Sequence, residues 1–234
     1  MFRSFAFAAI ALLSLPQLAS AAPIYEVDID NPPQGNLAGQ ITNITTRYNA
    51  NTGLFSWQHT IEDTASNKSD GFWLVVSDGP MPNKDEYTIF YGDVAKGVVS
   101  AYQYDIDLGA YSFTEMDRYL TTYALDYNHS GSAGTFSFEV NTGYLNDASN
   151  FPDLNNPGDW KGTLFNEWIG AWFAPTLDTV VTYFDTGEID TAKASTNGWV
   201  DGSYYKTTEV PEPSTGFLFA LAALFIGGTR ILRK

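Results

Sequence analysis

Polar and apolar positions alternate along much of this chain and seldom recur at helical spacing. Leu54 to Ile61 is the clearest case. Leu54, Ser56, Gln58 and Thr60 fall on one side, and Phe55, Trp57, His59 and Ile61 on the other. A period of two marks a half-buried strand, because successive side chains of an extended backbone point to opposite faces. Ile41 to Tyr48, rich in Ile and Thr, lies just before it across the turn Asn49-Ala50-Asn51-Thr52-Gly53, so the two runs predict a hairpin. Phe72 to Val76 is a continuous apolar run of a length suited to a buried strand. Thr88 to Tyr91 and Val98 to Tyr104 predict a second pair. Tyr119 to Tyr127 and Thr135 to Asn141 predict a third, joined by the Gly- and Ser-rich stretch Asn128 to Gly134. Leu164 to Phe173, Val180 to Phe184 and Trp199 to Tyr205 read as late strands. Asn141 to Asp147 is the one place for a short helix, and Asn150 to Gly162, with Pro152, Pro157, Gly158 and Gly162, predicts a long loop. Short strands at regular spacing with turn residues between them predict an all-β fold, an antiparallel, jelly-roll-like β-sandwich over residues 22–209.

Both ends break this pattern. Residues 1–21 carry Arg3, then the apolar run Phe5 to Leu15, then Pro16 and the small residues Ala19-Ser20-Ala21. That order predicts a secretory signal helix cut by signal peptidase after Ala21, with Ala19 and Ala21 at the two small-residue positions. Residues 210–234 form a second such segment. Val210-Pro211-Glu212-Pro213-Ser214-Thr215 is held extended by its prolines. A short hydrophobic helix is expected at about 216–229, and Arg230, Arg233 and Lys234 make a basic stop. An apolar stretch of this length is short for the roughly 30 Å of a bilayer's hydrocarbon, and its basic end belongs on the cytoplasmic side. The expectation is transient anchoring in the inner membrane.

Composition sharpens the picture between the ends. The 14 Tyr, 16 Phe and 6 Trp suit a packed β-domain. Residues 22–209 hold 8 Lys and Arg against 26 Asp and Glu, a formal charge of −18. Such a surface repels nucleic acid, so no nucleic-acid partner is expected. With no cysteine, the domain relies on its core and has no thiolate zinc site.

The C-terminal segment resembles the PEP-CTERM sorting domain of exported proteins from Gram-negative bacteria that make exopolysaccharide. Pro211, Glu212 and Pro213 carry the resemblance, together with the hydrophobic helix and basic end that follow. It implies recognition by an exosortase, loss or transfer of the tail, and delivery to the cell surface or extracellular matrix. More loosely, Gly71 to Pro80, Ile89-Phe90-Tyr91 and Gly170-Ala171-Trp172-Phe173 resemble the cores of other proteins of that group, which implies architecture and address but no chemistry.

The residues offer little catalysis. Glu188-Ile189-Asp190 resembles the start of a laminarinase-like strand motif, which needs a second glutamate on the same face. Alternation puts Glu188, Asp190 and Ala192 together, and neither Ala192 nor Lys193 is a carboxylate. The only histidines, His59 and His129, have no metal-binding spacing, no serine lies in Gly-x-Ser-x-Gly, and no phosphate loop is present. Glycan binding suits the composition better, since sugars stack on exposed rings edged by Asp and Asn. Trp160 beside Asn156 and Asp159, and Trp199 after Asn197-Gly198, are the candidate platforms. Trp57, Trp73 and Trp172 lie in strand runs and are expected in the core. Calcium is the ion the acidic domain favours. Its candidate ligands are Asp185, Glu188 and Asp190, with the pairs Asp28 and Asp30, and Asp105 and Asp107, besides. The sequence therefore predicts an exported, non-enzymatic surface or matrix protein associated with exopolysaccharide. The alternatives are a secreted glycan-active enzyme on a jelly-roll fold and a purely structural or adhesive surface protein.

Overall fold

The computed structural model describes residues 24–32, 39–63, 68–78, 86–103, 119–151, 162–163, 168–196, 200–206 and 208–210. The chain divides into two compact units, Ala22–Val210 and a second made of Met1–Ala21 with Pro211–Lys234. The second unit, with the expected signal helix and C-terminal hydrophobic helix, lies outside the described residues, as does most of the expected loop over 150–162.

Within Ala22–Val210 the described elements are two packed antiparallel sheets. The first sheet holds β1 (Ile24–Asp30), β2 (Gln40–Asn49), β3 (Leu54–Glu62), β8 (Asp126–Ser130), β9 (Ala133–Asn141) and β13 (Thr208–Val210). Its order is β13-β1-β2-β3-β9-β8. The second sheet holds β4 (Gly71–Asp78), β5 (Thr88–Asp93), β6 (Val98–Gln103), β7 (Tyr119–Ala124), β10 (Trp168–Tyr183), β11 (Ile189–Thr196) and β12 (Val200–Lys206). Its order is β11-β10-β4-β5-β6-β7, with β12 pairing β10 as well. The antiparallel sandwich expected from the alternation is present. Its strands, however, form short meanders (β1-β2-β3 and β8-β9 in the first sheet, β4-β5-β6-β7 and β10-β11 in the second) that meet where β3 lies beside β9 and β4 beside β10, instead of the interleaved order of a jelly roll.

The chain passes between the sheets four times, and two of these passages are short. β7 ends at Ala124 in the second sheet, and β8 begins at Asp126 in the first. Leu125, buried at 7% exposure, is the pivot and packs into the core. The single strand expected over 119–127 is therefore two strands, and its loop shrinks to the turn Gly131-Ser132, with Gly131 at φ 64°. At the other side β12 ends at Lys206 in the second sheet and β13 begins at Thr208 in the first.

One core fills the space between the sheets. Phe55, Trp57, Ile61, Phe136 and Phe138 come from the first sheet, and Phe72, Leu74, Phe90, Val99 and Phe173 from the second. Phe72 sits opposite Gly92, where an added Cβ would meet its ring at 2.1 Å, so only glycine leaves the ring its place. The one described α-helix, α1 (Thr142–Leu145), follows β9 where a short helix was expected, with the Asn141 carboxamide accepting from the Tyr144 N–H at 3.1 Å.

β10 is longer than either late strand expected from sequence, because it fuses them across Pro175. The proline falls between two pairings on one edge: β12 partners Trp168 to Phe173, and β11 takes over at Thr176. A residue without an N–H is tolerated at such a gap. Beyond Thr176 the register shifts, Asp178 adopts φ 53°, and Asp70 takes both the N–H and the hydroxyl of Thr179, at 2.9 and 2.6 Å. From this hinge the β10–β11 hairpin turns back across the outer face of the second sheet.

Candidate functional site

The two outer faces differ sharply. On the second sheet the outward residues are apolar and aromatic. Trp73, Val75, Ile89, Tyr91 and Tyr102 are all buried beneath the hairpin, with Ile189 of β11 among them. The Ile189 N–H donates to the Tyr102 hydroxyl at 2.8 Å, and the Tyr183 hydroxyl donates to Asp93 at 2.8 Å. The Lys96 ammonium stands 3.2 Å from the centre of the Tyr183 ring. Burial pushes the Tyr91, Tyr102 and Tyr183 hydroxyls above the usual phenol range, so all three remain neutral. This face is closed by packing.

The outer face of the first sheet is open and polar. Alternation sends every second residue of its strands outward, and the register aligns them in rows. One row runs Glu26, Arg47, Ser56, Glu139. The next runs Asp28, Thr45, Gln58, Ser137, Asp126. Asp30, Asn43, Thr60, Thr135 and Asn128 make a third. The corner at Ala124 and Asp126 walls one side, and the residues of the first two rows other than Asp28 line a groove of about 530 Å³. Arg47 lies 4.0 Å from Glu26. The Asn43 carboxamide donates to both Asp28 and Asp30, at 2.7 and 3.2 Å. The Thr45 hydroxyl lies 3.0 Å from Asp28, and Thr60 and Thr135 join hydroxyls at 3.2 Å. The groove thus presents hydroxyls, one amide, three carboxylates and one guanidinium.

The expected site residues fall elsewhere. Trp160, Asp159, Asn156 and Trp199 lie outside the described residues, as do Ala19, Ala21, Pro211, Glu212, Pro213, Arg230, Arg233 and Lys234. Asp185 is exposed in the hairpin turn. The Glu188 N–H meets the Thr186 hydroxyl at 3.4 Å, and Asp190 accepts from Thr182 at 3.1 Å. Among the described residues no group of three His, Asp or Glu is placed to hold a metal ion. The strand face drawn for Glu188, Asp190 and Ala192 is corrected. Tyr183 pairs with Ile189 and Thr182 with Thr191, so Asp190 is an extra, bulged residue. Ala192 then shares the covered side with Ile189, while Asp190 stays exposed. Trp57 and Trp73 are buried as expected, at 1% and 3% exposure, whereas Trp172 is half-buried on the outer face against Tyr87.

The histidines have structural partners. His59 is wholly buried, its Nδ1 accepting from the Trp57 indole at 2.9 Å and its ring stacked on Phe136. Desolvation drops its pKa from 6.5 to about 3, so the ring is neutral. Its Nε2 has no hydrogen-bond partner. His129 lies on β8, where a loop was expected, and its Nε2 meets Asp63 at 2.7 Å. The polar rows were present in the alternation of Ser56, Gln58 and Thr60, but sequence alone does not say which strands lie side by side.

Among the described residues no helix is long and apolar enough to cross a membrane. No curated protein matches the chain. A solved structure from work on pH-induced modulation of Streptococcus parasanguinis adhesion by Fap1 fimbriae is similar at 12% identity, over 76% of this chain and 95% of the other. Its TM-score of 0.27 is too low to bear on fold or function. Residues 209–234 match the model of the PEP-CTERM protein-sorting motif. That motif implies export and exosortase-dependent processing, and with it the chain is identified as a PEP-CTERM domain-containing protein.

Proposed function

We propose that this chain is a non-enzymatic protein of the cell surface or extracellular matrix, sorted through its tail by an exosortase and associated there with exopolysaccharide. The sorting motif over residues 209–234 carries the reading. In this scheme signal peptidase removes residues 1–21, and the apolar stretch over 216–229 holds the protein at the inner membrane. Pro211-Glu212-Pro213 then offers an extended segment that a protease cleft accepts without unfolding anything. The open polar sheet face supports contact with a hydrated, hydroxyl-rich matrix, and the formal charge of −18 over residues 22–209 speaks against nucleic acid.

Mass spectrometry of the mature surface fraction tests the reading. Peptides should stop near Pro213, and residues 216–234 should be missing. Substitution of Arg230, Arg233 and Lys234 by Ser should weaken retention before processing. Recovery of mature protein ending at Lys234 would mean that the tail is an ordinary anchor.

A further inference from the structure

We propose that the groove on the outer face of the first sheet binds a neutral or amine-bearing glycan strand and excludes polyanionic ones. This rests on the exopolysaccharide-associated reading and gives it a site and a ligand class.

Three features carry the assignment. The groove, at about 530 Å³, has the size of a small-ligand site. Its floor is a set of short polar side chains fixed by sheet register: Thr45, Ser56, Gln58 and Ser137 lie on adjoining strands β2, β3 and β9. Strands stand about 4.8 Å apart, close to the size of one sugar ring, so hydroxyl and amide groups recur at intervals a glycan chain can follow. Gln58 is exposed at the centre, with one amide acceptor and two donors facing solvent. Such a floor recognises a polyhydroxylated ligand by edge hydrogen bonds, without ring stacking.

Charge then selects among glycans. Glu26, Asp126 and Glu139 line the groove against Arg47 alone, and Arg47 is already close to Glu26. A uronic-acid or sulfated chain would bring more negative charge to this surface, in a domain already far from neutral. A neutral chain meets no such penalty, and an amine-bearing chain gains from the carboxylates. An extended peptide is a poorer fit, because peptides add to a sheet through a free edge and this site is a face.

Titration calorimetry on the full exported protein tests this with three probes: a neutral β-glucan hexasaccharide, a glucosamine hexamer and an oligogalacturonate. The first two should bind and the third should not. Gln58→Ala should weaken binding at least fivefold with an unchanged Tm, since the side chain is exposed. The triple variant Glu26→Gln, Asp126→Asn, Glu139→Gln should admit the oligogalacturonate, a gain that misfolding does not produce. Glycan binding undiminished in Gln58→Ala and unaltered in the triple variant would overturn the groove while leaving the matrix reading standing. Preference of the native protein for oligogalacturonate would overturn the charge selection. Failure of all three probes to bind native protein would remove both the groove and the proposed contact with exopolysaccharide.

Discussion

The Tyr183 hydroxyl reaches from the hairpin to the carboxylate of Asp93 at the end of β5, donating a hydrogen bond of 2.8 Å. Asp93 is buried at 7% exposure, and its other oxygen accepts the Lys96 N–H at 3.1 Å. The bond thus fastens the far end of the β10–β11 hairpin to the β5–β6 turn. Tyr183→Phe keeps the ring under Lys96 and removes only this bond. The expected cost is about 1.5–3 kcal/mol, the range for hydrogen bonds to charged groups. Hydrogen exchange should quicken in 180–192 and hardly change in β2 and β3. Uniform acceleration across both sheets would show that the hairpin does not open separately.

The hinge of the same hairpin should tolerate some residues and not others. Asp178 is exposed at φ 53°, a conformation Asp adopts readily and β-branched residues do not. Asp178→Val should cost about 1–3 kcal/mol, and Asp178→Gly should be close to neutral. Chemical denaturation of the pair decides it, and equal stability of the two variants would count against strain at this position.

His59 should make the domain acid-labile. Its folded pKa of about 3 lies below the value of 6.5 expected when unfolded. Between those values the unfolded chain binds the extra proton, so stability is complete above pH 6.5 and is lost as the pH falls toward 3. The stacked and edge-on rings around it, Phe72, Phe136 and Phe173, offer no charge to offset a proton. The full effect is on the order of 5 kcal/mol. His59→Gln keeps an acceptor for the Trp57 indole but cannot titrate. Its stability at neutral pH should fall, and its loss between pH 6.5 and 3 should be shallower than that of the native protein. Parallel pH profiles would exonerate the imidazole.

The core should be equally intolerant at one glycine. Gly92→Ala drives a methyl to 2.1 Å from the Phe72 ring in a packed interior. Overpacking of this kind costs about 1–3 kcal/mol or more. Phe72→Leu in the same chain should recover part of the loss, as a double-mutant comparison of Tm would reveal.

These elements also show what the sequence made legible. The hairpin of β2 and β3 was plain because one face is mostly apolar and the other mostly polar, and the turn chemistry agrees. Phe72 to Val76 was legible as a buried strand because the second sheet is covered on both faces. The β7–β8 corner was not, since Leu125 is as apolar as a strand residue and nothing local marks a change of sheet. β10 was divided at Pro175 because the compensating gap in its partners is a tertiary fact. β1 went unread, since its run is short and Glu26, Asp28 and Asp30 on its outward side give it a strongly acidic look. The groove has the same character: its alternation was visible, but the rows exist only once β1, β2, β3, β9 and β8 are aligned.

The pairing of β1 with β13 has a mechanical consequence. Ile24 stands opposite Val210, so the first and last described residues of the domain meet at one corner, joined through only three residue pairs. Tension between these two points does not shear the sheet, where many bonds would have to fail together. It peels β13 from β1 like a zip, one pair at a time, starting at Val210. A load on the C-terminal side would first draw out Thr208–Val210, lengthening the tether by about 10 Å before reaching the strands that carry the polar face.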